Sequence, residues 1–167
     1  MNTSLLKKIA VATLLAGTFF TGQAALKVGD ALPDLASFKL EGKLPDTLKG
    51  KVVIVDFWAS WCAPCAKSFP VLDELQKKYG DKLVIIGVNV DEKKTNMEKF
   101  LEKHAVSFTI VRDADQKLVA AAEPTTMPTS FVIDGTGKVC FLHNGFHGED
   151  THKEYLTEIE SLLKSNP

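Results

Sequence analysis

From Lys51 onward the chain alternates between two kinds of apolar pattern. Val52 to Val55 is a continuous apolar run that extends through Asp56-Phe57-Trp58, the pattern of a strand covered on both faces. Behind it Phe69, Leu72, Leu75 and Tyr79 recur at helical spacing. That spacing predicts a helix over 66–79 with one apolar face, a kink at Pro70 and Gly80 as its C-cap. Leu83 to Val90 repeats the buried-strand pattern. Thr95-Asn96-Met97-Glu98 has the form of a capping box, opening a helix with Met97, Phe100, Leu101 and His104 inward. Val106 to Arg112 reads as a strand and Lys117 to Glu123 as a short helix. Thr129 to Asp134 and Lys138 to His143 are two strands of a hairpin turned by Gly135-Thr136-Gly137. Thr151-x-x-Glu154 is then expected to cap a last helix, with Tyr155, Ile159, Leu162 and Leu163 on one face. Upstream of all this, 26–35 is a turn-rich entry, Ser37 to Leu40 a short strand and Pro45 to Leu48 a single helical turn. Strands and helices alternate until a closing hairpin and helix, so the class is α/β, a central mixed β-sheet flanked by helices.

Composition changes this picture at one end only. The chain has 167 residues, enough for one domain with a substantial core, and a net charge of −1. Mixed charges near balance give no electrostatic case for nucleic acid or a membrane surface as partner. Lys7 and Lys8 precede an apolar run, Ile9 to Phe20, followed by the small-residue stretch Thr21-Gly22-Gln23-Ala24-Ala25. A positive flank, a short apolar run and small residues at −3 and −1 make 1–24 a secretory signal peptide cleaved after Ala24. Residues 25–167 are left as the folded domain. The alternative is an uncleaved anchor, for which the run is short of the about 20 residues that span a bilayer.

Three cysteines in an exported chain are too few, and odd in number, for a disulfide scaffold. Cys62 and Cys65 fall where the first strand feeds the helix. Residues three apart on a helix share a face, within reach of a disulfide, and Pro64 suits the first turn. The helix N-terminus favours a thiolate, so Cys62 is the expected nucleophile and Cys65 the more buried second thiol. Zinc binding by Cys62, Cys65, Cys140 and His143 is the competing chemistry. It is disfavoured because Cys140 and His143 would point to opposite faces of a strand, about 75 residues beyond the first pair. No metal and no cofactor is expected. A purely structural bridge is the other alternative. Asp56 is either a buried acid able to hold a proton near neutrality or a strand end in solvent, and spacing alone leaves both open. Met127-Pro128-Thr129 precedes a strand. A cis bond there would expose the Met127 backbone to an extended polypeptide, whereas an ordinary trans turn would not. Trp61 is expected at the surface beside Cys62, Trp58 in the core, and Cys140 as a small buried hydrophobe.

The run Val55-Asp56-Phe57-Trp58-Ala59-x-Trp61-Cys62-x-Pro64-Cys65, with Pro70 and Leu72-Asp73-Glu74-Leu75 after it, resembles thioredoxin. Pro128-Thr129 is similar to its cis-proline segment, and Gly145 to the glycine after its last hairpin strands. The Gly29-Asp30-x-x-Pro33-Asp34 entry, the insert around Thr95 to Arg112 and the signal peptide resemble the exported TlpA/ResA-like branch, which includes reductases of cytochrome c maturation. The resemblance implies a thioredoxin-like fold with an N-terminal extension and a central insert, and a redox disulfide Cys62–Cys65. It implies Asp56 as a catalytic acid, and a substrate surface at Trp61, Pro64, Met127, Pro128 and Thr129. It also implies a periplasmic location, protein disulfide substrates and a membrane electron donor of the thiol-transporter type. A disulfide oxidase or isomerase, or a non-catalytic module binding extended polypeptide, are the alternatives. Peroxiredoxins share a similar entry, but Cys62 lacks their Pro-x-x-x-Thr-x-x-Cys context. Two positions depart from the pattern: Ser68 stands where that branch often has Glu, and Gly87 where thioredoxin has the Lys that accompanies its buried Asp. An acid without its cation is harder to ionise.

Overall fold

The structure, a computed structural model, describes residues 25–165. The expected signal peptide lies outside the described residues. Strands β1 (Val52–Trp58), β2 (Leu83–Asn89), β3 (Thr109–Arg112), β4 (Thr129–Ile133) and β5 (Val139–Asn144) form one sheet in the order β3-β2-β1-β4-β5. β1, β2 and β3 run parallel, whereas β4 is antiparallel to both β1 and β5. The mixed sheet expected from the alternating pattern is therefore present. The helices are α1 (Ala63–Tyr79), α2 (Lys94–Lys103), α3 (Lys117–Ala122) and α4 (Glu149–Ser165).

β1 is the central strand and every one of its residues is buried, which is why its sequence is apolar except at Asp56. Trp58 meets Phe69 of α1 at 4.8 Å between ring centroids and Phe100 of α2 at 4.9 Å. Phe69 also meets Phe108 at 5.4 Å, so one aromatic cluster ties both helices to the sheet. Truncating one of these rings to Ala costs roughly 3–5 kcal/mol. Strand residues two apart share a face, so Asp56 projects to the side of β1 that carries Trp58, the side α1 covers. Cys65, Phe69 and Leu72, all buried and at helical spacing, form the inner face of α1.

The N-terminal entry guards both edges of the sheet. Gly29 N–H donates to Val139 O and Val139 N–H to Asp30 O, at 2.8 and 2.9 Å, along β5. Glu41 then exchanges two backbone bonds with Arg112 of β3, at 2.9 and 2.8 Å, on the opposite edge. Exposed strand edges template aggregation, and this segment occupies part of each.

Several local expectations are corrected. Ser37 to Leu40 is not a strand: Leu35–Phe38 is a 3₁₀ turn, because the Asp34 carboxylate accepts from Ala36 N–H and the Ser37 hydroxyl donates to Asp34 O. Pro45 to Leu48 forms no helical turn; it is irregular chain, with the Thr47 hydroxyl accepting from Lys49 N–H. α1 begins at Ala63, not Ala66, since the Cys62 sulfur caps it, and it continues through Pro70. Thr95 caps nothing: α2 starts at Lys94 with Lys93 at the cap position and no side-chain cap bond. β3 starts at Thr109 rather than Val106 because Ser107 turns its N–H and hydroxyl onto the Asp73 carboxylate, at 2.6 and 2.7 Å. α4 starts two residues before Thr151, whose hydroxyl reaches back to accept from His147 N–H at 3.0 Å. Among the described residues no helix is long and apolar enough to cross a membrane.

Candidate active site

The chain leaves the C-terminal end of β1, turns through Ala59 to Trp61 and enters α1 with Cys62 as N-cap. Cys62 and Cys65 are joined, S–S 2.06 Å, with Cα atoms 5.3 Å apart. The Cys62 sulfur also accepts the Cys65 backbone N–H at 3.2 Å. A sulfur at this place faces the free N–H groups and positive end of α1, which favours its thiolate once the bond is reduced. Cys62 is 4% exposed and Cys65 0%. Two shallow grooves flank Trp61, one of about 430 Å³ against Pro64 and Pro124–Met127, the other of about 420 Å³ against α2. Cys62 lines both and Cys65 neither. A cavity of about 870 Å³ lies at the other end of β1, beside Val53 and Ile133, away from the cysteines.

The turn before the cysteines is clamped from β2's end. Asp91 accepts the Ser60 N–H at 3.0 Å and the Ser60 hydroxyl at 2.9 Å, and the Asn89 side-chain amide at 2.7 Å. Asn89 in turn accepts Asp91 N–H at 3.1 Å. Ser60 is two residues from Cys62, so this buried pair sets the path by which the chain enters Cys62.

Asp56 is not a strand end in solvent: it is 1% exposed. Its β4 neighbour is Ser130, whose hydroxyl donates to Asp56 Oδ1 at 2.5 Å; Oδ2 has no partner among the described residues. Tyr155 of α4 donates to the Ser130 hydroxyl at 2.7 Å. Burial pushes the Asp56 carboxyl up to about 7, against the smaller opposing pull of the Ser130 bond. Tyr155 is pushed well above the usual phenol range, first by its own burial and then by Asp56, so it remains a donor. Gly87, opposite Asp56 on β2, leaves no space for a cation. A Cβ there would stand 2.9 Å from Ile110 Cδ1 and 3.1 Å from both Phe108 Cε2 and Trp58 Nε1. Ser68 is buried on α1 and donates to Cys65 O at 3.0 Å.

The Redoxin family model matches residues 27–159, which contain every element described here but the end of α4. The chain belongs to the Redoxin family. It is 36% identical over 160 residues to the thiol-disulfide oxidoreductase ResA of Geobacillus thermodenitrificans, covering 93% of this chain and 91% of that one. Against the ResA of Bacillus subtilis the identity is 33%, over 84% of this chain and 80% of that one. A putative thiol:disulfide interchange protein DsbE from Chlorobium tepidum superposes with a TM-score of 0.76 at 36% identity, covering 83% and 99% of the two chains. This Redoxin-family chain has the thioredoxin-like fold and is a thiol–disulfide oxidoreductase of the ResA/DsbE type, with Cys62 and Cys65 as its pair.

The remaining singled-out residues divide around the grooves of this redoxin. Trp61 is 69% exposed, and Trp61, Pro64 and Met127 line one groove together. The Met127–Pro128 bond is cis, and among the described residues the Met127 N–H and C=O have no partner. Pro128 and Thr129 are buried behind that groove: Pro128 O accepts from Gly145 N–H at 2.8 Å and the Thr129 hydroxyl donates to Thr126 O at 2.8 Å. Cys140 is half-buried rather than buried, its sulfur 3.6 Å from Asp134 Oδ2, and burial, with Asp134 adding to it, pushes the thiol up. His143 lies tilted against the Tyr155 ring, 4.6 Å between centroids, and pairs with Glu158 at 2.8 Å, so it does not join Cys140. Among the described residues no group of three His, Cys, Asp or Glu side chains is placed to hold a metal. The linear pattern does not single out Ser130, Asn89 or Asp91, and marks Tyr155 only as part of an apolar helix face. Helical spacing places Tyr155 on the inner face of the last helix, but none of the four shows which partner it meets until the chain is folded.

Proposed function

We propose that this redoxin reduces protein disulfides, with Cys62 attacking and Cys65 resolving. The Cys62 thiolate displaces one sulfur of a substrate disulfide and forms a mixed disulfide. The Cys65 thiolate then attacks Cys62, releasing the second substrate thiol and leaving Cys62–Cys65 oxidised; two electrons pass to the substrate. Asp56 takes the Cys65 proton in the second step and returns it when the pair is reduced. A carboxyl with a midpoint near neutrality holds or releases a proton at working pH, which is what such a relay needs. The observation that carries the order of attack is that Cys62 alone of the pair borders the grooves beside Trp61. The unpaired Met127 backbone beside it suits an extended substrate segment docking by main-chain bonds.

The sequence pattern of residues 1–24 supports export with cleavage after Ala24, and residues 25–167 as the mature domain in the periplasm. There the chain needs electrons delivered, which a membrane thiol transporter supplies, since the compartment is kept oxidising. Cytochrome c maturation is the process in which such a reductase fits.

Cys65→Ala should trap a mixed disulfide through Cys62, and mass spectrometry of the trapped partner identifies the substrate. Recovery of the partner on Cys140 would overturn the assignment. Cys62→Ser should abolish disulfide reduction, and retained function in that variant would instead favour a module that only binds polypeptide. A redox potential against glutathione as high as that of strong oxidants would reverse the proposed direction.

A further inference from the structure

We infer that Ser130 and Tyr155 are positioning residues for the Asp56 proton, a hydroxyl relay that occupies the role a cation would have and lowers the pH at which Asp56 gives up that proton. The inference rests on Asp56 being the proton-handling group. The chain of bonds is directional: Tyr155 O–H donates to Ser130 Oγ at 2.7 Å, and Ser130 O–H donates to Asp56 Oδ1 at 2.5 Å. All three residues are buried to 2% exposure or less, so these donors are shielded from bulk solvent. A hydroxyl donated to a carboxylate favours the ionised form, and a second hydroxyl donated to the first polarises it further.

The groups around Asp56 leave this relay as its source of stabilisation. β2 presents Gly87, which has no side chain and no space for one. β4 presents Ser130. α1 brings Cys62 and Cys65 to that side of the sheet. α4 presents Tyr155; behind it lie His143 of β5 and the carboxylates of Glu154 and Glu158, 3.4 and 2.8 Å from the His143 ring nitrogens. No lysine or arginine bonds to Asp56 among the described residues. Tyr155 is held above its usual range, so it stays a donor while Asp56 titrates.

The test is the Asp56 side-chain carbon signal followed by NMR against pH in the oxidised protein, which reads the midpoint without reference to activity. Ser130→Ala is expected to raise that midpoint by about one pH unit, and Ser130→Thr, which keeps the hydroxyl, to leave it in place. Tyr155→Phe, which removes one oxygen and keeps the ring, should raise it by less. A merely structural role would lower stability without moving the midpoint. An unchanged midpoint in both Ser130→Ala and Tyr155→Phe overturns the relay. The underlying reading of Asp56 fails separately: an Asp56→Asn protein that resolves a mixed disulfide with a model peptide at the wild-type rate and pH profile removes Asp56 from the reaction, whatever the NMR midpoints show.

Discussion

Asp56 in β1 and Asp91 just after β2 are buried almost equally, 1% and 2% exposed, and their surroundings are opposite. Asp91 receives three donors, two from Ser60 and one from Asn89. Asp56 receives one hydroxyl on Oδ1 and none on Oδ2. Burial alone therefore assigns no role to a carboxylate. Where donors converge, the group fastens a loop. Where a single hydroxyl meets it, the cost of burying charge is left largely uncompensated and falls on the proton instead.

The largest expected contrast is in stability against pH. The Asp56 carboxyl rises from an ordinary 3.8 to about 7 on folding. Between those values the unfolded chain has lost the proton and the folded one keeps it, so stability falls as pH rises through that window and levels off above it. Asp56→Asn removes the penalty, and the variant should gain up to about 4 kcal/mol over wild type above pH 7 and almost nothing below pH 4. Denaturant unfolding of the oxidised protein at the two ends of that range measures it, and a gain independent of pH breaks the contrast.

Asp91→Ala should move stability the other way. It leaves the buried amide of Asn89 and both donors of Ser60 without an acceptor, a loss of about 3 kcal/mol. A neutral or stabilising result in the same unfolding experiment would show that the clamp is not what holds the loop.

The smallest effect sharpens why Asp56 has no cation. Gly87→Ala places a methyl against Ile110, Phe108 and Trp58, and should cost about 1–2 kcal/mol as Ile110 shifts and the buried rings do not. A variant as stable as wild type would mean that the space opposite Asp56 is open after all.

Much of the architecture was legible from local pattern. β1 and β2 read as uninterrupted apolar runs because both strands are covered on both faces, and their observed bounds agree with the pattern to within a residue. The inner faces of α1 and α4 followed from helical spacing for the same reason. The misplacements were at ends. Thr95 and Thr151 both have the capping-box form, yet one helix starts with no side-chain cap and the other begins earlier, because a cap is decided by which donor a hydroxyl meets, and residues outside the motif supply it. The short strand expected at Ser37 to Leu40 became a 3₁₀ turn through hydrogen bonds from its own flank, with Lys39 in the left-handed region at φ 54°.

By itself, the sequence determined the reacting pair and its placement. Two cysteines three apart at a strand-to-helix junction are held by contiguous chain, so local geometry suffices to bring them together and to put Cys62 at the helix N-terminus. It also marked Asp56 as an acid in an apolar run. Only the tertiary structure decided what surrounds that acid. Ser130 and Tyr155 are 74 and 99 positions away along the chain and arrive from β4 and α4, while Phe108 and Ile110 arrive from the far side of β2 to close the space at Gly87. Hydrogen-bond partners separated in this way leave no period and no spacing in the sequence, because the directions of their donors are fixed only when strands pair and helices pack.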